Sequence, residues 1–372
     1  MAEVNRSKPS LAILLLGVLA ASCSESLEPP GRWAPAEGLK TRWAEEVDPD
    51  APWPEYPRPL LVREAWVNLN GLWSLAILPR TQGEPTEYPH RILVPFPVES
   101  ALGGLARKVS PNDRVWYHRS FSLPGDQDLG AVHGEGARWY LHFGAVDWEA
   151  EVFVDGEPVG VHRGGYDPFS FDVTAALGEG PEHQLVVAVT DPTDQGEQPR
   201  GKQVLDPHGI WYTAVTGIWQ TVWMEPVPRA HITNLTARPS PTLDAVEITV
   251  TATPPAEGLA VGVVVEDGGG EVASGTGVVG EMISIAIPEP RLWSPEDPFL
   301  YDLVVNLAEG EGHPDGIVDE VASYFGLRSI GVGPGPGGIP VLRLNGDPLF
   351  QYGLLDQGWW PDGLYTAPTD EA

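Results

Sequence analysis

Cysteine is nearly absent from this chain, with Cys23 the only one in 372 residues. An internal disulfide is excluded, and so are zinc sites built on several cysteines. Positive charge is scarce as well: 22 lysines and arginines face 52 aspartates and glutamates, a formal charge of −30. Nucleic-acid binders carry a basic face, so no nucleic-acid partner is expected. The acidity gives no support to peripheral binding on an anionic membrane, and its simplest meaning is solubility. No apolar run is long enough to span a bilayer as a helix. There is no HExxH motif, no Cys/His zinc pattern and no nucleophile elbow. Gly196 to Lys202 has the spacing of a phosphate loop, but Gln203 stands where a Mg²⁺-binding Ser or Thr is needed. No metal or other cofactor is expected.

Glycine (43), proline (39) and tryptophan (14) are plentiful. Strong apolar runs lie between the glycines and prolines, which points to turns between short strands. The chain starts with Arg6 and Lys8, an apolar run over residues 11–21, and then small residues. That is the layout of a secretory signal. Leu19-Ala20-Ala21-Ser22-Cys23 resembles the lipobox of bacterial lipoproteins, with Ala20 where a bulkier aliphatic residue is commoner. The resemblance implies cleavage after residue 22, a diacylglyceryl group on Cys23, and an exported chain lipid-anchored to the bacterial cell envelope. Residues 23–59 are proline-rich, acidic and aperiodic, and read as an extended spacer.

Residues 60–228 read as short strands with no amphipathic helix. Asn70-Gly71, between Trp66–Leu69 and Leu72–Ile77, predicts a hairpin, as does Asp155-Gly156 after Val152-Phe153-Val154. Leu141 and Phe143 alternate with Tyr140 and His142, and Leu185, Val187 and Val189 share a face. Trp148 is expected to plug the core. This spacing indicates an antiparallel sandwich or jelly roll.

Five phrases occur in order here. They are Leu69-Asn70-Gly71-Leu72-Trp73, Trp116-Tyr117-His118-Arg119, Gly144-Ala145-Val146-Asp147-Trp148, His162-Arg163-Gly164-Gly165-Tyr166 and Thr216-Gly217-Ile218-Trp219-Gln220. Together they resemble the N-terminal sugar-binding jelly roll of family-2 glycoside hydrolases, the β-galactosidase, β-glucuronidase and β-mannosidase relatives. The resemblance implies a carbohydrate partner, a β-glycoside or oligosaccharide, and a possible homo-oligomer, since family members often associate.

Candidate contacts lie in loops. Asn112, nine residues before Phe121, stands where the galactosidase relatives carry an asparagine that reaches the sugar. Asn-Asp after proline is equally ordinary turn chemistry. Residues 191–208 form a long polar loop that leads into an aromatic strand, and loops this long are functional or disordered. Arg200, Lys202 and Asp206, beside Trp211 and Tyr212, suit a polyol with polar groups next to flat apolar faces. The same residues would also suit an edge loop packed on its own sandwich.

Residues 229–328 read as a second sandwich. Val246, Ile248 and Val250 alternate, as do Val261, Val263 and Val265. Arg291-Leu292-Trp293-Ser294-Pro295 and Tyr324-Phe325-Gly326-Leu327-Arg328 resemble the closing phrases of the family's immunoglobulin-like domain. Residues 329–372 resemble a linker and the start of the family's (β/α)₈ catalytic barrel, which would make Asp356, Trp359 and Asp362 substrate contacts. Trp360 and Tyr365 are expected to have no domain to pack against.

A retaining glycosidase needs two carboxyl groups about 5 Å apart. In the family both lie on barrel strands, the acid/base in an Asn-Glu pair, and this sequence contains no Asn-Glu pair. A barrel needs at least about 200 residues. No catalytic residue is therefore assigned. The expectation is an all-β, non-catalytic front of a family-2 glycoside hydrolase, cut short and inactive alone. The alternative is a lipid-anchored carbohydrate-binding surface protein without catalysis.

Overall fold

The computed structural model describes residues 33–124, 136–254, 256, 258–309 and 316–372. The expected export signal and Cys23 lie outside the described residues. Among the described residues there is no α-helix, and no helix is long and apolar enough to cross a membrane.

The first sandwich faces a six-stranded sheet against a four-stranded one, and every pairing in them is antiparallel. The larger sheet runs His90–Val94, Gly71–Pro79, Asp113–Ser122, Glu182–Thr190, Glu149–Val154, Glu157–Arg163. The smaller runs Val67–Asn68, Val222–Val227, Arg138–Phe143, Phe169–Asp172. Period-two alternation sends Leu141, Phe143, Leu185, Val187 and Val189 into one core with Trp73 and Tyr117. Trp73 is fully buried there and donates its indole N–H to Leu69 O at 2.8 Å. Trp148 is only half-buried and lies outside this core, so the plug is Trp73.

Asp155-Gly156 is a hairpin turn, with φ of 49° and 84°, the positive values that a tight two-residue turn requires. Asn70-Gly71 is not. Val67–Asn68 pairs with Trp223 and Met224 in the small sheet, while Gly71–Pro79 enters the large one. The chain crosses between sheets here because buried Asn70 replaces the lost ladder bonds. It accepts from Val222 N at 3.0 Å and donates to Thr221 Oγ1 at 3.2 Å.

The second sandwich packs Ile232–Pro239, Ala245–Ala252 and Met282–Ala286 against Gly270–Val278, Leu259–Asp267, Tyr301–Glu309 and Ile317–Phe325. Val246, Ile248, Val250, Val261, Val263 and Val265 all point into its core. Beyond it, Ile330–Pro334, Pro340–Leu344 and Asp347–Pro348 form a small sheet.

Residues 33–59 are not an extended spacer. Ala44 and Val47 are buried with Leu93, Phe96 and Leu102, and Trp33 and Trp53 pack on this cluster. Composition hides this because the segment contributes single anchors without any period. The strap then crosses both sandwiches. Val62 pairs through its backbone with Ala322, and Arg63 donates to Ile232 O at 2.8 Å and to the Asp319 carboxylate. Glu225, fully buried on the first sandwich, takes Arg58 at 2.9 Å, the Tyr56 hydroxyl, and Trp223 Nε1 at 2.6 Å.

Candidate carbohydrate site

The loop from Asp191 to Thr216 is closed from below. Asp191 accepts from Thr193 N at 2.7 Å and from Thr216 Oγ1 at 3.2 Å. Thr216 N donates to Glu99 Oε2 at 2.8 Å. Gln203, which is buried, joins three segments. It accepts from Val215 N at 2.7 Å, and it donates to Asp147 Oδ2 at 2.9 Å and to Tyr365 OH at 3.3 Å. Asp147 fills the space over Gly165, where a Cβ would stand 2.7 Å from its Oδ1.

No cation pairs with these three carboxyls among the described residues. Burial pushes Glu99 up to about 8. Burial, with repulsion from Asp191, also pushes Asp147 up to about 8, and burial, with repulsion from Asp194, raises Asp191. Among the described residues no group of three or more His, Cys, Asp or Glu side chains has metal-binding geometry.

From above, residues 356–366 lie on the loop. Lys202 Nζ and Tyr212 OH both donate to Gln357 Oε1, at 3.0 and 3.1 Å. Trp359 stacks on Tyr212 with ring centroids 4.3 Å apart. Tyr365 contacts Tyr166, Trp219 and Trp359, and its hydroxyl lies 3.0 Å from that of Tyr166. Tyr365 is thus packed on the first sandwich, contrary to expectation, while Trp360 is half-buried and pairs through its backbone with Leu364.

Of the residues singled out in the sequence, the structure brings together Lys202, Tyr212 and Trp359. Trp211 remains 37% exposed beside them, and Arg200 is half-buried on the same loop. Asp206 is exposed, and its carbonyl accepts from His208 Nδ1. Asp356 turns onto Gly358 N at 2.7 Å. Asn112 shapes a turn, its N–H donating to Ser110 Oγ and its carbonyl accepting from Arg80 N; its exposed side chain makes no hydrogen bond among the described residues.

Asp362 is a correction. It is fully buried and accepts from Thr41 N and Thr41 Oγ1, both at 2.7 Å, so it fastens the segment and its carboxylate is closed off from solvent. Asp362→Ala is expected to loosen residues 360–366 by about 1–3 kcal/mol, through the loss of two buried hydrogen bonds. Faster hydrogen exchange at the Leu102 amide, which donates to Asp362 O, would report it. Gln203, Asp147, Gln357 and Tyr365 were not legible as site residues. The one signal was an amide, Gln203, directly after the basic pair of a polar loop.

Together these features define a jelly roll followed by an immunoglobulin-like sandwich, with an aromatic-lined loop on the first. Residues 59–228 match the glycosyl hydrolases family 2 sugar-binding domain, and residues 230–328 match a second domain model of glycosyl hydrolases family 2. The chain belongs to that family. A β-galactosidase from Thermoanaerobacter pseudethanolicus is 28% identical over 254 residues, covering 64% of this chain and 31% of that protein. A β-glucuronidase from Paenibacillus borealis is 24% identical over 298 residues, covering 74% and 47%. This chain therefore spans about a third to a half of the length of these relatives. The structure of Bifidobacterium dentium β-glucuronidase complexed with coumarin-3-O-glucuronide shares the fold, with a TM-score of 0.63 and 22% identity over 83% of this chain and 55% of that one.

Proposed function

We propose that this chain supplies the sugar-binding and positioning part of a family-2 β-glycosidase, exported and lipid-anchored through Cys23. The observation that carries the reading is the docking of residues 356–366 onto the loop of the sugar-binding domain. That loop aligns Lys202, Tyr212 and Trp359 at one edge. Before Trp359, Phe350, Tyr352, Leu354 and Leu355 are 85–94% exposed, an apolar stretch with no covering surface among the described residues. Chemistry comes from elsewhere. Retaining hydrolysis requires two free carboxyls about 5 Å apart, and the carboxyls under this loop are engaged in holding it.

The test has two arms. The chain is expected to release no nitrophenol from nitrophenyl β-galactoside or β-glucuronide, and to bind monosaccharides no tighter than about 10 mM by calorimetry. Turnover would overturn the non-catalytic assignment, and micromolar monosaccharide binding would favour a self-sufficient binding protein. Mass spectrometry of the envelope-bound product should find a diacylglyceryl group on Cys23, and Cys23→Ala should release the chain from the membrane.

A further inference from the structure

The apex of the loop is built as a platform that its own packing does not use. Gly209 turns the chain with φ of 57°, and Trp211 N donates back to His208 O at 3.0 Å. Tyr212 N donates to Lys202 O, and Val204 N to Tyr212 O, each at 2.9 Å, so the apex is braced on both sides. Yet Ile210 is 69% exposed and Trp211 37%. A braced turn that presents an indole and an aliphatic side chain to water has the form of a stacking surface for a sugar ring.

Cations stand on the same loop or reach it. The chain has only four lysines, and two of them are here. Lys202 bonds to Gln357 Oε1, and Lys108 Nζ reaches Leu205 O at 3.4 Å. Arg200 stands on the same turn, its carbonyl accepting from Gln203 N. None of the three is in an ion pair among the described residues, although acids outnumber bases by more than two to one in the chain. Of the nearby acids, Asp194 is turned onto Leu205 N and Asp356 onto Gly358 N, while Glu197 and Asp206 stay exposed.

We propose that Ile210 and Trp211, with Arg200, Lys202 and Lys108, form a subsite for an anionic sugar unit of an oligosaccharide, one that bears a carboxylate or a sulfate ester. The inference rests on the sugar-binding reading above and narrows it. The indole carries the ring, and the guanidinium and ammonium groups take the anion, as charge-assisted hydrogen bonds do best when no competing carboxylate already holds the donor. Lys202 then connects the ligand to Gln357 and the Trp359 stack.

The experiment is calorimetry of this chain with three tetrasaccharides: neutral xylotetraose, a xylotetraose bearing glucuronic acid, and a sulfated galactan tetramer. At least one acidic probe is expected to bind about tenfold tighter than the neutral one, and to lose that margin when salt rises from 50 to 500 mM. Preference for the uronate or for the sulfate identifies the anion. Arg200→Gln with Lys202→Gln should erase the margin between acidic and neutral probes, whatever the level of neutral binding, whereas Trp211→Ala should weaken all three. These side chains lie at the surface, and unchanged melting temperatures would show that the variants fold. Equal binding of neutral and acidic probes, or a margin that survives the double variant, would overturn the anionic subsite while leaving the sugar-binding reading intact. No binding of any probe at 10 mM would overturn both.

Discussion

Replacing Arg63 with alanine is expected to split the unfolding of the two sandwiches into separate transitions and to cost about 3–5 kcal/mol. Arg63 is buried between Asp319 of the second sandwich and Glu225 of the first, whose side chains are 3% and 0% exposed. Its removal leaves Asp319 with one backbone donor, Ile232 N at 2.7 Å, and no cation. Glu225 keeps Arg58, but His142 cannot step in. Burial holds His142 down to about 4, so it is neutral at pH 7 although it lies 3.7 Å from Glu225. A buried charge stripped of its partner is what makes breaking such a pair expensive. Scanning calorimetry should show one endotherm for the native chain and two for the variant, and a single unshifted endotherm would refute the role. Arg63→Lys should restore part of the loss, since a lysine keeps the charge but not the forked donor that meets Ile232 O and Asp319 together.

The second large effect is a dependence on pH. Glu99 is raised to about 8, and Asp147 and Asp191 are raised too, each first by burial. A carboxyl whose folded pKa lies above its unfolded one favours the folded state fully below about pH 4. That contribution is lost as pH rises through the folded value near 8. The loop should therefore weaken steadily between about pH 4 and 8. Asp147→Asn keeps an acceptor for Gln203 Nε2 and removes the charge that Asp191 opposes. It is expected to raise stability at pH 8 by about 2–4 kcal/mol and to flatten the slope. At the acid end the opposite sign applies. Burial raises Glu225, but His142, which takes up its proton near pH 4, and Arg58 outweigh it and hold its pKa below the usual value. Its contribution is thus present above the usual glutamate range and lost as pH falls. Melting temperatures from pH 3 to 9 should trace a maximum, and an Asp147→Asn curve parallel to the native one would exclude the Asp147 carboxyl as its cause.

Much of the architecture was legible because it rests on period two. Val246, Ile248 and Val250, or Leu185, Val187 and Val189, announce both strand and face in consecutive residues. The elements that escaped carry their information in single side chains with remote partners. Asn70 reads as a turn residue because its neighbour is glycine. Its donor and acceptor, Val222 N and Thr221 Oγ1, lie about 150 residues on, and no local pattern names them. The strap of residues 33–63 was hidden for the same reason, as was Gln203, whose value lies in reaching Asp147 and Tyr365 at once. At the site, aromatic and basic residue types identified the loop. Burial decided which acids could meet a ligand, and it removed Asp362 from the set.

The strap also imposes an order of assembly. Residues 33–63 leave the ribosome before either sandwich exists, yet Arg63 finds Asp319 only 256 residues later, and Thr41 finds Asp362 after 321. Such distant closures are slow, because the loop entropy must be met before the contact rewards it. During synthesis the first sandwich can close around Trp73 while its outer strap still lies open beside Leu93, Phe96 and Leu102. The Arg63 and Thr41 closures must therefore wait until Asp319 and Asp362 have been made, so these two fastenings of the strap close after the chain of both sandwiches is complete.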